Sequence, residues 1–187
     1  GPRINIVINQ YITVDFASDY GPCETRRSAS RTRTFWLFFA PLTDPDVKPM
    51  TMQKTPLLMS RILGRGAMLD PNEEIVTLQE NGTHRQTLRT TWERAAQLAG
   101  ALQAHGIRPG DRVASFMWNN YRHLELYQAG PSMGAVLHTL NIRLSPTDLI
   151  YIINHAGDRV IFADEDLLDL LTPLLGEIPT VELIVIC

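Results

Sequence analysis

The residue patterns that could carry chemistry are few. A dinucleotide site needs Gly-x-Gly-x-x-Gly between a strand and a helix, so that backbone amides meet a pyrophosphate. Gly64-Arg65-Gly66 comes nearest, but it has Leu69 in the third place and follows a helical pattern. A phosphate loop of the Gly-x-x-x-x-Gly-Lys-Ser/Thr kind is missing, and the only lysines, Lys48 and Lys54, lie outside any glycine-rich setting. His84, His105, His123, His138 and His155 form no i, i+4 pair with a carboxylate and none adjoins a cysteine, so no zinc site is expected. Surface or capping roles suffice for them. Asp164-Glu165-Asp166 could be imagined as a metal cluster, but acids at a helix start are what the helix dipole favours. No serine lies in Gly-x-Ser-x-Gly, and Cys187 has no activating neighbour in sequence. The residues alone therefore describe an α/β domain without an identifiable catalytic set, and the expected metal ligands and catalytic residues are none.

Composition narrows the class. Of 187 residues, 44% are hydrophobic and 20% charged, which suits one globular domain or a piece of a larger one. The net charge is −3 and arginines cluster only at 26, 27, 31 and 33, which argues against nucleic acid as a partner. The apolar block 35–40 is far short of the ~20 residues of a membrane helix, so no span is expected. Cys23 and Cys187 show no framework spacing, and a reducing, cytoplasmic setting is the default expectation.

Residues 1–49 lack a sustained period of 2 or 3.6 and read as a non-native or disordered leader, upstream translated sequence rather than a regulatory or targeting arm. Met50 or Met52 reads as the natural start, and 50–187 as the domain. Helical spacing begins at Leu57 and runs to Met68, with Asp70-Pro71 closing it. A strand at 75–78 and another at 84–89 flank Asn81-Gly82, the residue pair of a two-residue hairpin. Thr90 and Glu93 form a capping box for a helix that Gly106 ends. Strands follow at 111–118, 135–141, 159–163 and 181–186. Between them lie a helix capped by Asn119 or Asn120 and stopped near Pro131, a helix capped by Ser145 with Pro146 at its first position, and a helix begun by Asp164. Alternation of this kind demands parallel pairing, so the fold class is α/β: an open, mostly parallel sheet flanked by helices.

Within this frame, the run from Trp118 to Tyr127, continued from Met133 to Leu144, resembles medium- and long-chain fatty-acid–CoA ligases of the adenylate-forming superfamily. Gly110-Asp111-Arg112-Val113-Ala114, Tyr151-Ile152-Ile153-Asn154-His155-Ala156 and Asp158-Arg159-Val160 extend the resemblance over about residues 50–187, the amino-terminal region of such enzymes. The resemblance implies ATP, CoA and Mg2+ as cofactors of the parent enzyme, a fatty acid as substrate, acyl-adenylate as intermediate and a possible homodimer. It places the phosphate loop, adenylate motif, hinge and catalytic lysine downstream, so this chain is expected to be an inactive fragment that binds none of the cofactors well. One site residue carries over: Arg143, in the place of the arginine of Asn-Pro-Arg-Leu that lies near a CoA phosphate. Ile142 stands where proline is usual, and residues 128–132 replace a more apolar run, departures that bear on the turn presenting Arg143 and on local packing. The competing reading is a non-catalytic α/β binding or self-association module.

Overall fold

The computed structural model describes the backbone of residues 5–8 together with residues 58–80 and 82–187. The apolar block 35–40, both candidate start methionines and the rest of the 1–49 leader lie outside the described residues, as does Asn81. The elements are β1 (Asn5–Ile8), α1 (Met59–Leu69), β2 (Glu74–Gln79), β3 (Gly82–Thr87), α2 (Leu88–Ala104), β4 (Arg112–Phe116), α3 (Tyr121–Ser132), β5 (Val136–Thr139), α4 (Pro146–Ala156), β6 (Asp158–Ala163), α5 (Leu168–Leu171) and β7 (Leu183–Ile186). Short 3-10 turns at Glu165–Leu167 and Thr172–Glu177 flank α5.

The sheet has the order β1-β7-β6-β4-β5, with every pair parallel. β1 falls within the segment that shows no sustained period, yet its four residues pair in register with all four of β7. Central strands of a parallel sheet are covered on both faces and so read as continuous apolar runs. Val113, Ala114 and Phe116 of β4 and Ile161 and Ala163 of β6 are accordingly fully buried. Alternation divides the core. Val113, Val160, Phe162 and Val185 face α2 and α3 through Leu98, Leu102, Leu126 and Ala129. Ala114, Phe116, Ile161 and Ile184 face α4 and the α5 region through Leu149, Ile153, Leu171 and Leu174.

Two local expectations shift. The helix after the hairpin begins at Leu88 and is capped by Thr87, whose Oγ1 accepts the Thr90 amide at 3.1 Å; Thr90 is inside the helix, not its cap. Thr87 offers the same acceptor three residues earlier, where the strand still supplies the extended backbone a cap requires. In the hairpin Gln79 pairs with Gly82, which makes Gly82 a strand residue rather than part of the loop. Since no described non-glycine residue has positive φ, Glu80 does not take the conformation that an Asn-Gly loop would adopt. Other expectations agree with the structure: α3 ends at Ser132, one residue after Pro131, and at the start of α4 Ser145 Oγ accepts the Asp148 amide at 3.2 Å and donates to Asp148 Oδ2 at 2.6 Å. Gly157 closes the same helix with φ 69°.

Candidate functional site at the carboxyl edge of the sheet

From β4 the chain passes over one face through α3 to β5. From β5 it returns over the other face through α4 to β6, on the far side of β4. β4 and β6 are therefore neighbours whose outgoing connections leave to opposite faces. Ligands of open α/β sheets bind outside the carboxyl ends of strands at such a reversal.

The residues there form one hydrogen-bonded group. Asp164, which follows β6 and is 6% exposed, accepts the Trp118 amide at 2.7 Å and the Asn120 side-chain amide at 3.2 Å on each oxygen. Asn120 in turn caps α3 by accepting the His123 amide at 3.0 Å. Burial pushes the Asp164 carboxyl above its ordinary range, against the lowering effect of the Trp118 amide and Asn120. His123 is buried, with Nδ1 3.1 Å from the Trp118 carbonyl and Nε2 2.9 Å from Ser115 Oγ. The carbonyl requires the proton on Nδ1, and in the neutral ring Nε2 then accepts from the Ser115 hydroxyl. Burial holds its pKa below the ordinary imidazole value. The Trp118 ring is half exposed and its Nε1 donates to Asp166 at 2.9 Å. Cys187 lies beside β6, donating its amide to the Ala163 carbonyl, and burial pushes its thiol up to about 12. That removes it as a nucleophile near neutral pH.

Sequence reasoning gave the histidines surface or capping roles and explained Asp164 by the start of its own helix. The structure corrects both. His123 is a buried link between β4 and the loop after it, and the Asp164 side chain makes no cap in its own turn but reaches back 46 residues. His138 also has a buried partner, Asp158, 2.8 Å from its Nδ1. No short-range pattern signals these pairings, because each joins residues on different strands or connections.

Arg143 stands on the same edge, in the turn after β5. Its side chain is exposed, and among the described residues no partner holds the guanidinium. Arg85, Arg94 and Arg159, in contrast, are each tied to carboxylates. A free guanidinium on a structured turn suits an anion with several oxygens, such as phosphate. The turn holds its shape without proline: Ile142 and Leu144 pack against the α4-side core. In the departure at 128–132, Gln128 is buried with Oε1 unpaired and the Ser132 hydroxyl is also buried without a partner.

Residues 65–186 match the family described as AMP-binding enzyme. The long-chain-fatty-acid–CoA ligase of Thermus thermophilus is 45% identical over 135 residues, which cover 72% of this chain and 25% of that protein. The 3-methylmercaptopropionyl-CoA ligase of Ruegeria lacuscaerulensis is 39% identical, covering 70% of this chain and 24% of its own. The chain thus spans about a quarter of the length of the curated relatives it matches. Among solved structures, a Mycobacterium tuberculosis fatty acyl CoA synthetase superposes over 70% of this chain and 26% of its own with a TM-score of 0.62; at 23% identity this shows the shared fold.

Proposed function

Because the chain belongs to the AMP-binding enzyme family, we propose that it is the amino-terminal part of the large domain of an ATP-dependent fatty-acid–CoA ligase. In that reaction a fatty carboxylate attacks the α-phosphate of ATP, releasing pyrophosphate and forming acyl-AMP, and the CoA thiol then displaces AMP. The observation that carries the reading is the 45% identity to a long-chain-fatty-acid–CoA ligase over 135 residues, 72% of this chain. On this reading the enzyme works in the cytoplasm as a homodimer, and the groups that hold the triphosphate belong to the length of the relatives that this chain does not span.

The described residues bear unevenly on the ligands. Arg143 fits a CoA phosphate, as its exposed guanidinium, which no partner holds among the described residues, supports. Magnesium would accompany ATP, but the carboxylate at the strand reversal, Asp164, is already engaged by Trp118 and Asn120 and offers no built metal set.

Fatty-acid-dependent ATP–pyrophosphate exchange tests the proposal, measured on the 187-residue chain and on the same chain extended by its own downstream coding sequence. The extended protein is expected to exchange and to form acyl-CoA, and the 187-residue chain to match a no-enzyme blank. Exchange by the short chain alone would overturn the fragment reading. A stop codon directly after Cys187 would overturn the ligase reading in favour of a binding or self-association module.

A further inference from the structure

We propose that Asn141 is a positioning residue, which presents the Arg143 guanidinium to a phosphate group of CoA; this rests on the reading of Arg143 above. The Arg143 amide donates to Asn141 Oδ1 at 3.0 Å, and the Leu144 amide donates to the Asn141 carbonyl at 3.2 Å. One residue thus supplies both acceptors that close the turn, its side chain holding the backbone of the residue two positions on. The flanks are held as well. The Leu140 amide reaches the Ser115 carbonyl at 2.8 Å, so the turn departs directly from the β4–β5 pairing. On the other side Ser145 starts α4 through its paired bonds with Asp148. Ile142 and Leu144 point into the α4-side core, and between them Arg143 is exposed.

This arrangement does by hydrogen bonding what a proline would do by ring closure. A proline at 142 would restrict φ through its ring. Here Ile142 contributes an apolar anchor, and the direction in which Arg143 leaves the turn depends on the Asn141 side chain. With Asn141 truncated, the Arg143 amide loses its acceptor at an exposed site where water replaces it. The backbone is then free to turn the guanidinium away, and ordering it again on a phosphate costs entropy.

The test uses the full-length ligase that contains this chain, with the Michaelis constant for CoA and CoA-independent pyrophosphate exchange measured side by side. Arg143→Ala is expected to raise the CoA constant roughly 10- to 150-fold, and Asn141→Ala about 3- to 10-fold. For Asn141→Ala that effect should be at least about three times larger than any change in exchange. Asn141→Asp keeps the oxygen acceptor and should stay within about twofold of the parent. The double variant Asn141→Ala/Arg143→Ala should be no worse than Arg143→Ala alone, because Asn141 acts through the arginine. A readout independent of activity is amide hydrogen exchange, which at Arg143 should speed up in Asn141→Ala and not in Asn141→Asp. If the alanine variant fails to fold, Asn141→Gln, whose acceptor lies one methylene too far, should show the same defect. Impairment by Arg143→Ala with a normal Asn141→Ala would overturn the positioning role and leave the reading of Arg143 intact. A normal Arg143→Ala would overturn both, and additive losses in the double variant would show that Asn141 acts independently.

Discussion

Glu125 is the most informative single perturbation of the scaffold. Its carboxylate, with a side chain 4% exposed, accepts Arg94 Nε at 2.6 Å, Arg94 Nη2 at 3.0 Å and Gln86 Nε2 at 3.0 Å. One side chain of α3 therefore ties down both α2 and the β2–β3 hairpin, and α3 carries Asn120 and His123 at its start. Removing one member of a buried ion pair costs about 3–5 kcal/mol. Arg94 is 34% exposed and can turn to water, while Gln86 keeps its bond to Thr91 at 2.8 Å, so the expected loss for Glu125→Ala is about 2–4 kcal/mol. Glu125→Gln, which keeps one acceptor but turns an amide toward the guanidinium, should lose about 1–2 kcal/mol. Urea unfolding of Glu125→Ala, Arg94→Met and the double variant isolates the pair, whose coupling should be about 1.5–3 kcal/mol, the range of a charge-assisted bond. Against a typical total of about 5–15 kcal/mol this is easily measured. A coupling below about 0.5 kcal/mol would show that the pair behaves as a solvated surface bridge and would refute the argument.

His123 predicts a pH effect. Its folded pKa lies below the ordinary 6.5, so the unfolded chain takes up a proton first as pH falls; the stability it contributes is complete above about 6.5 and is lost between that value and the lowered one. His123→Gln should flatten that part of the stability profile in thermal melts, and an unchanged slope would show that the ring is not held neutral. Asp164 has the opposite sign: its raised pKa makes the folded state lose stability as pH climbs from about 3.8 through the raised value. Asp164→Asn should remove that loss, which a melt series over acidic pH reads directly. We also expect residues 50–187 to fold without residues 1–49, since both faces of the sheet are already covered between Leu63 and Ile186. Melting of the two chains decides this, and a loss above about 2 kcal/mol would show that the β1–β7 pairing is a required part of the fold.

How much could be read beforehand depended on the range of each interaction. The apolar runs of β4, β6 and β7 and the Ser145-Pro146-Thr147-Asp148 cap are local events within a few residues, and all belong to patterns that sequence spacing reveals. Where two local solutions competed, as between Thr87 and Thr90 or between the two possible hairpin loops, spacing left an error of one to three residues; strand pairing decided. At the site the sequence supplied Arg143 through resemblance but no reason for its orientation. The alternation of apolar strands with amphipathic helices along the chain by itself determined an α/β fold with a parallel sheet covered on both faces, because successive strands joined by a crossover helix pair in parallel. Only the tertiary structure decided that β6 crosses over β4 to create the reversal. That crossing also joins Asp164 to Trp118 and Asn120 from 46 and 44 residues away and buries His123 against Ser115. Such bonds become favourable only once the surrounding core has excluded water, and no short-range signal encodes that condition.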